Sequence, residues 1–463
     1  MSGNSINSEV KLRRVLTLTD LVIYGIILIQ PVAALPLFGL ANRDSGGHAV
    51  TCILVAMFAM IFTAISYGRM ANRYPAAGSA YTYVGRGLHP YLGFIAGFTM
   101  FMDYMIVPIL CTIYTSITAH HMLPMIPIWV WSLFFAGGFT ILNLNGIKIT
   151  SLANWILMIV MSVAVFWFMG AAIMYITNKN GLGGLFTLEP FYHPDTFSWS
   201  IIGRGTALAA LTYIGFDGLT TLSEEVENPR RNVLLATVLT CLITGIWSGA
   251  QVYLSQASIS WAQWPQFLQD MVSKFGAGNE LEKAIIGIAN VVGGHLLEVV
   301  LAFILLVGSV GSGVTGQVGA ARVMYGMGRD KMLPQGFFGH LDKKHAGPSY
   351  NIMLIGVVVL LGAIFLNYSQ CAHLINFGAF LAFMLVNAAS IREYFFKAER
   401  KTIKGFFKDF LPPAIGIIAC FLIWKSLPIL TLTVGSLWSL VGIIYLAFLS
   451  KGFTKIPKVK DIF

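Results

Sequence analysis

The sequence predicts an all-α, polytopic membrane protein with 12 transmembrane helices, from its composition, the length of its apolar runs and the placement of its basic residues. Of 463 residues, 56% are apolar and 11% are charged, where an average soluble domain carries about 25% charged residues. A spanning helix needs about 20 largely apolar residues, so twelve would take roughly 240, close to the whole apolar content. Backbone in lipid must satisfy its own hydrogen bonds, and long apolar runs do so as helices. A soluble globular domain, a disordered chain and a disulfide scaffold are excluded.

Polar punctuation places the helices at about 18–42, 49–70, 91–119, 127–144, 151–177, 198–222, 233–256, 293–320, 350–366, 371–391, 411–427 and 430–450. The first apolar run is too long for a cleaved signal peptide and lacks a small-residue cleavage site, so it is expected to stay as a helix. The net charge is +10, and the basic residues sit in short connections. With the N-terminus inside, the inner segments hold 24 Lys and Arg and the outer ones four, Arg43, Lys179, Lys274 and Lys283. That asymmetry sets the orientation, with both termini cytoplasmic. The expected organisation is an N-terminal segment 1–17, a five-helix set 18–177, a second set 198–391, two further helices 411–450 and a tail 451–463. The outer connection 257–292 is expected to hold a short interfacial helix, because Trp261 and Trp264 suit the membrane–water boundary. The five cysteines (Cys52, Cys111, Cys241, Cys371 and Cys420) lie in or beside apolar runs without CxxC spacing, so neither disulfides nor zinc are expected.

Two helices are interrupted at mid-depth. The first reads Tyr24-Gly25-Ile26-Ile27-Leu28-Ile29-Gln30-Pro31, and proline there removes a donor and clashes with the preceding turn. The sixth reads Thr212-Tyr213-Ile214-Gly215-Phe216-Asp217-Gly218, two glycines around an acid. They are the first members of two five-helix sets of opposite orientation. Matched interruptions in opposed halves point to a secondary-transporter site, where opened helix ends offer carbonyls and amides to a solute or ion.

Four ordered motifs then carry a resemblance. Tyr74-Pro75-Ala76-Ala77-Gly78-Ser79-Ala80-Tyr81-Thr82-Tyr83 follows the second helix, and Gly93-Phe94-Ile95-Ala96-Gly97-Phe98 opens the third. Gly215-Phe216-Asp217 precedes Glu224-Glu225-Val226-Glu227-Asn228-Pro229-Arg230, and Ala321-Arg322-Val323-Met324-Tyr325-Gly326-Met327-Gly328-Arg329-Asp330 follows the eighth helix. Over residues 15–450 the chain resembles the amino acid–polyamine–organocation (APC) transporter superfamily, and within it bacterial putrescine importers and related amino acid permeases. The resemblance implies a five-plus-five inverted-repeat, LeuT-like fold and alternating access. The chain departs from most amino acid members in lacking a Gly-Ser-Gly-like break in the first helix. Since anion capture by helix amides needs close backbone approach, the departure favours a solute without a carboxylate, such as a diamine. The lysine that some proton-coupled relatives carry in the fifth helix is absent from 151–177.

Candidate residues follow from these features. Gly25, Ile29, Gln30 and Pro31 at the first break and Tyr213, Gly215, Phe216 and Asp217 at the second are expected to contact substrate, with Asp103 and Tyr104 of the third helix. An ionisable group at depth is costly and marks function, so Asp217 is expected to hold an ammonium group or to titrate during the cycle. Tyr213 and Phe216 would add aromatic faces to a cation. Ser312 and Thr315 are candidates for sodium, Asp217 for a coupling proton. Glu224, Glu225, Arg230, Arg329 and Asp330 are expected to form an inner gate. His295 and Glu298 share a helix face as a relay or a solvated pair, and Asn376 and Asn387 line a pathway or bond between helices. Gly311-Ser312-Gly313-Val314-Thr315-Gly316 matches GxGxxG without a βαβ setting, so close helix packing is expected rather than a dinucleotide.

The function expected is a secondary active transporter importing a small amino-group-bearing solute, a polyamine such as putrescine, or in the alternative an amino acid. The partners expected are that solute, membrane lipid and a coupling proton or sodium, with no cofactor and no nucleic acid. A channel would need a filter loop, and a receptor or enzyme a signalling domain or catalytic set; the chain shows no HExxH, P-loop or GxSxG.

Overall fold

The computed structural model describes residues 16–74, 79–146, 151–223, 226–275, 277–329, 332–342, 347–398 and 402–454. Among these, all regular structure is helical apart from one isolated parallel bridge, Leu16 to Val226. Among the described residues, eight helices are long and apolar enough to cross a bilayer, and three shorter apolar helices accompany them.

The first expected span is two helices, α1 (Leu18–Ile29) and α2 (Phe38–Asp44). Thr17 and Asp20 close the start of α1 as a reciprocal capping box. There follow α3 (Ala49–Arg73), α4 (Ser79–Gly87), α5 (Pro90–Met122), α6 (Ile128–Leu144) and α7 (Ser151–Asn180). Next, α8 (Trp199–Ala209) gives way to two 3₁₀ segments, Ala210–Tyr213 and Phe216–Leu222, before α9 (Pro229–Ser258) and α10 (Trp264–Phe275). Then come α11 (Glu280–Arg329), α12 (Gln335–Phe338), α13 (Ser349–Phe365) and α14 (Tyr368–Ile391). The chain closes with α15 (Ile403–Gly405), α16 (Leu411–Lys425) and α17 (Ile429–Leu449). Helix α3 packs along α9, α5 along α11 and α14, and α7 along α11.

Helix α11 is two rods meeting at Gly294, whose φ of 74° suits glycine. The expected eighth span began at this corner. Glu298, buried beside it, accepts from Asn290 Nδ2 (2.6 Å) and contacts His295 Nδ1 (3.1 Å) and His121 Nε2 (3.3 Å). The His295–Glu298 pair is therefore one part of a brace that ties both rods to the end of α5.

Glycines let α11 approach its neighbours, as expected of the GxGxxG stretch. A Cβ at Gly313 would lie 2.3 Å from the Phe139 ring, at Gly316 3.0 Å from Val107, and at Gly319 3.3 Å from Tyr104. Gly311 faces open space and takes no part. Buried amides stitch helices together, which satisfies polar groups that lipid cannot. Asn143 donates to Gln317 (2.9 Å) and Gln317 to Thr140 (2.9 Å), joining α6 to α11. Asn387 donates to Thr63 (3.1 Å) and accepts from Ser66 (2.6 Å), joining α14 to α3, while Asn376 donates to the Ala207 carbonyl of α8 (2.5 Å).

The interfacial role expected of Trp264 does not hold. A helix does form there, but Trp264 is 3% exposed and meets Phe38 of α2 edge-on at 5.8 Å. Its ring fills the junction of α2 and α10 instead of facing the membrane boundary. All five cysteines are free and buried.

Candidate functional site

Both expected interruptions are present. Helix α1 ends at Gln30, where φ is 70° and ψ 137°, and residues 31–37 turn before α2 begins. Pro31 cannot donate, so the chain leaves the helix there. The second break lies at Gly215, φ 118°, a conformation that glycine adopts without a side-chain penalty. The breaks touch: a Cβ at Gly215 would sit 3.6 Å from Ile29 and 3.8 Å from the Leu28 carbonyl. Gly25 brings α1 onto α9, for its Cβ would lie 2.5 Å from Thr240 Oγ1 and 2.9 Å from Leu219.

At the first break the polar groups are used within the protein. Gln30 Nε2 donates to the Gly308 carbonyl (3.0 Å) and to Ser312 Oγ (2.7 Å) of α11. The Pro31 carbonyl accepts from Trp247 Nε1 (2.9 Å) and Gln251 Nε2 (3.0 Å) of α9. Thr315 is exposed, and its hydroxyl donates back to its own helix at Gly311 (2.9 Å) and Ser312 (3.1 Å).

At the second break an acid is left over. Asp217 is 5% exposed, with the backbone amides of Gly215, Asp217 and Gly218 beside its carboxyl group. Its carbonyl accepts from Thr220 Oγ1 (2.7 Å). Asp103 of α5, also 5% exposed, lies within electrostatic reach of Asp217, and its Oδ1 has no hydrogen-bond partner. Among the described residues neither acid has an ion-pair partner. Phe216 is fully buried, its ring 5.5 Å from Tyr67 and 5.4 Å from Phe383. Tyr67, whose buried hydroxyl has no partner, and Tyr83 of α4 both lie near enough to feel the Asp217 charge. Tyr104 lies against Gly319, with no hydrogen bond to Asp103. Tyr213 is fully buried and donates to the Ile53 carbonyl (2.8 Å), which ties this segment to α3.

Trp247, Gln251, Tyr67 and Tyr83 were not singled out from the sequence. The first two are polar groups four residues apart in an apolar run, a signal that buried donors seek an acceptor. Tyr83 stood inside a quoted motif.

At the face that carries Leu16, the Leu16–Val226 bridge ties the start of α1 to the chain after the second break, with Glu227 N to Leu16 O at 2.9 Å. Of the expected gate, Glu224, Glu225 and Asp330 lie outside the described residues. Arg230 is exposed and its carbonyl accepts from Asn72 (2.8 Å), and Arg329 ends α11, exposed. Ion pairs on this face include Arg69 with Asp409 (3.2 Å), Arg73 with Glu393 (3.7 Å) and Lys397 with Glu393. Glu393 and Asp409 sit in two π-helical turns, Arg392–Phe396 and Phe406–Phe410.

The two halves of the first span differ in cover. In α2, Phe38, Leu40, Ala41 and Asn42 are at most 3% exposed, and Asp44 lies 3.8 Å from His373 of α14. In α1, Tyr24 and Leu28 are each 40% exposed.

Comparison with known proteins adds three findings. Residues 15–450 match the family described as amino acid permease. The chain is 31% identical to the low-affinity putrescine importer PlaP of Escherichia coli (strain K12), over 98% of each chain, and 24% identical to the branched-chain amino acid permease BcaP of Bacillus subtilis (strain 168), over 97% of this chain and 96% of that one. The crystal structure of MhsT in complex with L-phenylalanine superposes with a TM-score of 0.54 at 14% identity, covering 88% of this chain and 97% of that one, so the chain has the LeuT-like fold.

Proposed function

The chain belongs to the amino acid permease family of the APC superfamily, and from that premise we propose that it imports a diamine such as putrescine across a bacterial inner membrane by alternating access. One observation carries this reading: Asp103 and Asp217 are buried, within electrostatic reach of each other and, among the described residues, without an ion-pair partner. Two such charges are costly in the membrane interior unless neutralised. A diamine brings one ammonium for each, and the rings of Phe216 and Tyr67 offer further attraction to a cation. The similarity to PlaP supports the same class. With the Leu16 face cytoplasmic, as the basic residues suggest, inward movement of a dication gains about 4.6 kcal/mol per 100 mV of membrane potential, enough to drive accumulation. The cover over α2 fits a state closed to the outside. Rocking of the helices that carry the breaks against the α5–α11 pair would expose the acids to each side in turn.

A competing reading, uptake of a branched-chain amino acid, is supported by the similarity to BcaP and by the aliphatic Ile29 and Val32 at the first break. Counterflow in proteoliposomes separates the two. Labelled putrescine should exchange saturably and compete with other diamines, while leucine and isoleucine compete weakly. Exchange of leucine with none of putrescine would overturn the diamine assignment, and single-channel currents without counterflow would overturn transport itself.

A further inference from the structure

We propose that Gln30, Trp247 and Gln251 are positioning residues whose side-chain N–H groups take the place of a coupling cation at the first break, so that this part of the cycle needs no sodium. The inference rests on the transport reading above, though not on the identity of the solute. In secondary transporters, carbonyls freed by an interrupted helix are the groups that coordinate sodium. Here the freed Pro31 carbonyl receives two donors from α9, at 2.9 and 3.0 Å. On α11 the Gly308 carbonyl and Ser312 Oγ both receive Gln30 Nε2, at 3.0 and 2.7 Å. A cation bridging α1 to α11 would have to displace those bonds.

The backbone adds an independent sign that Gln30 is held on purpose. It is a non-glycine residue at φ 70° and ψ 137°, a region that side chains rarely adopt and that persists only where the surroundings impose it. Pro31 favours the extended ψ, and the two bonds to α11 hold the side chain. Gly308 completes the clasp, because a Cβ there would lie 2.8 Å from Met161 and 3.1 Å from Gln30 Oε1. Gln30 therefore joins the moving first break to α11 through a neutral bond that is made and broken without desolvating an ion.

The test uses the purified full-length chain, its thermal melting and its counterflow in sodium chloride or in choline chloride of equal ionic strength. The wild-type protein should melt within about 1 °C and exchange solute at the same rate in both salts. Gln30→Ala should lower turnover at least tenfold with little change in KM. Ser312→Ala, which keeps the Gln30–Gly308 bond, should lower it less, and the double variant should be no worse than Gln30→Ala alone. Gln30→Glu puts an anion beside two oxygens, and its counterflow should become several-fold faster in sodium than in choline. Sodium dependence of the wild-type protein would overturn the proposal. So would full turnover in Gln30→Ala, or indifference of Gln30→Glu to sodium. These outcomes concern the salt and the turnover, so they stay readable if the solute proves to be an amino acid instead of a diamine.

Discussion

The break after α1 and the break at Gly215 are made by different residues and finished in different ways. The first comes from a proline that cannot donate and a glutamine forced to a positive φ; its freed Pro31 carbonyl meets N–H donors from Trp247 and Gln251, and the Gln30 side chain donates across to α11. The second comes from a glycine at φ 118°, and two residues later it leaves a buried carboxylate with no ion-pair partner among the described residues. The contrast shows that an opened helix is not in itself a binding site. Backbone polarity can be answered by neutral side chains at little cost, whereas a buried charge needs a counter-charge. The solute is therefore expected to be held by the second break and shaped by the first.

The largest effect should come from removing that charge. Asp217→Asn keeps the size but deletes the anion and turns one acceptor oxygen into a donor, and counterflow should fall at least about 100-fold, on the several-kcal/mol scale of charges at depth. The protein should still be monodisperse in detergent. Exchange within threefold of wild type would move the site away from the second break. Asp103→Asn sharpens the same point by charge matching: diamine exchange should drop about 10–100-fold, and the preference for a diamine over a monoamine of equal length should shrink with it. An equal loss for both solutes would make Asp103 a packing residue.

Gly215→Ala separates backbone from charge. The nearest atom to the added methyl is 3.6 Å away, so space is available and only the φ of 118° opposes it. A cost of about 1–3 kcal/mol is expected, seen as a lower melting temperature and slower turnover. At the first break, Trp247→Phe removes one of two donors to Pro31 and should slow exchange by less than tenfold. Adding Gln251→Leu leaves the carbonyl bare, and the double variant should lose more than the product of the two single losses.

Much of this was legible beforehand because the physics is local. Proline after Gln30 and glycine before Phe216 interrupt a helix whatever surrounds them, and Asp217 in an apolar run is costly in any fold. What stayed hidden depends on which helices meet. Nothing within residues 233–256 says that Trp247 and Gln251 reach Pro31, more than two hundred residues away in sequence. Trp264 misled for the same reason: a tryptophan that suits an interface suits a junction equally well, and only Phe38 decides between them. Tyr213 was placed by its neighbours in sequence, yet its hydroxyl goes to Ile53 on another helix.

The corner at Gly294 extends the comparison to a third irregularity, and it should behave like the first break in being satisfied and unlike the second in holding no solute. Glu298 there is 3% exposed but surrounded by Asn290, His295 and His121, at 2.6, 3.1 and 3.3 Å. Glu298→Ala leaves those donors facing a void, at a cost of about 1–3 kcal/mol, so the melting temperature should fall. Glu298→Gln keeps an acceptor for Asn290 and should recover most of the loss. In both variants KM for the transported solute should stay within twofold of wild type, because the corner only braces α5 against the two rods of α11. A KM raised in proportion to the lost stability would mean that the corner and the second break are coupled, and that buried acids matter here even when their neighbours answer them.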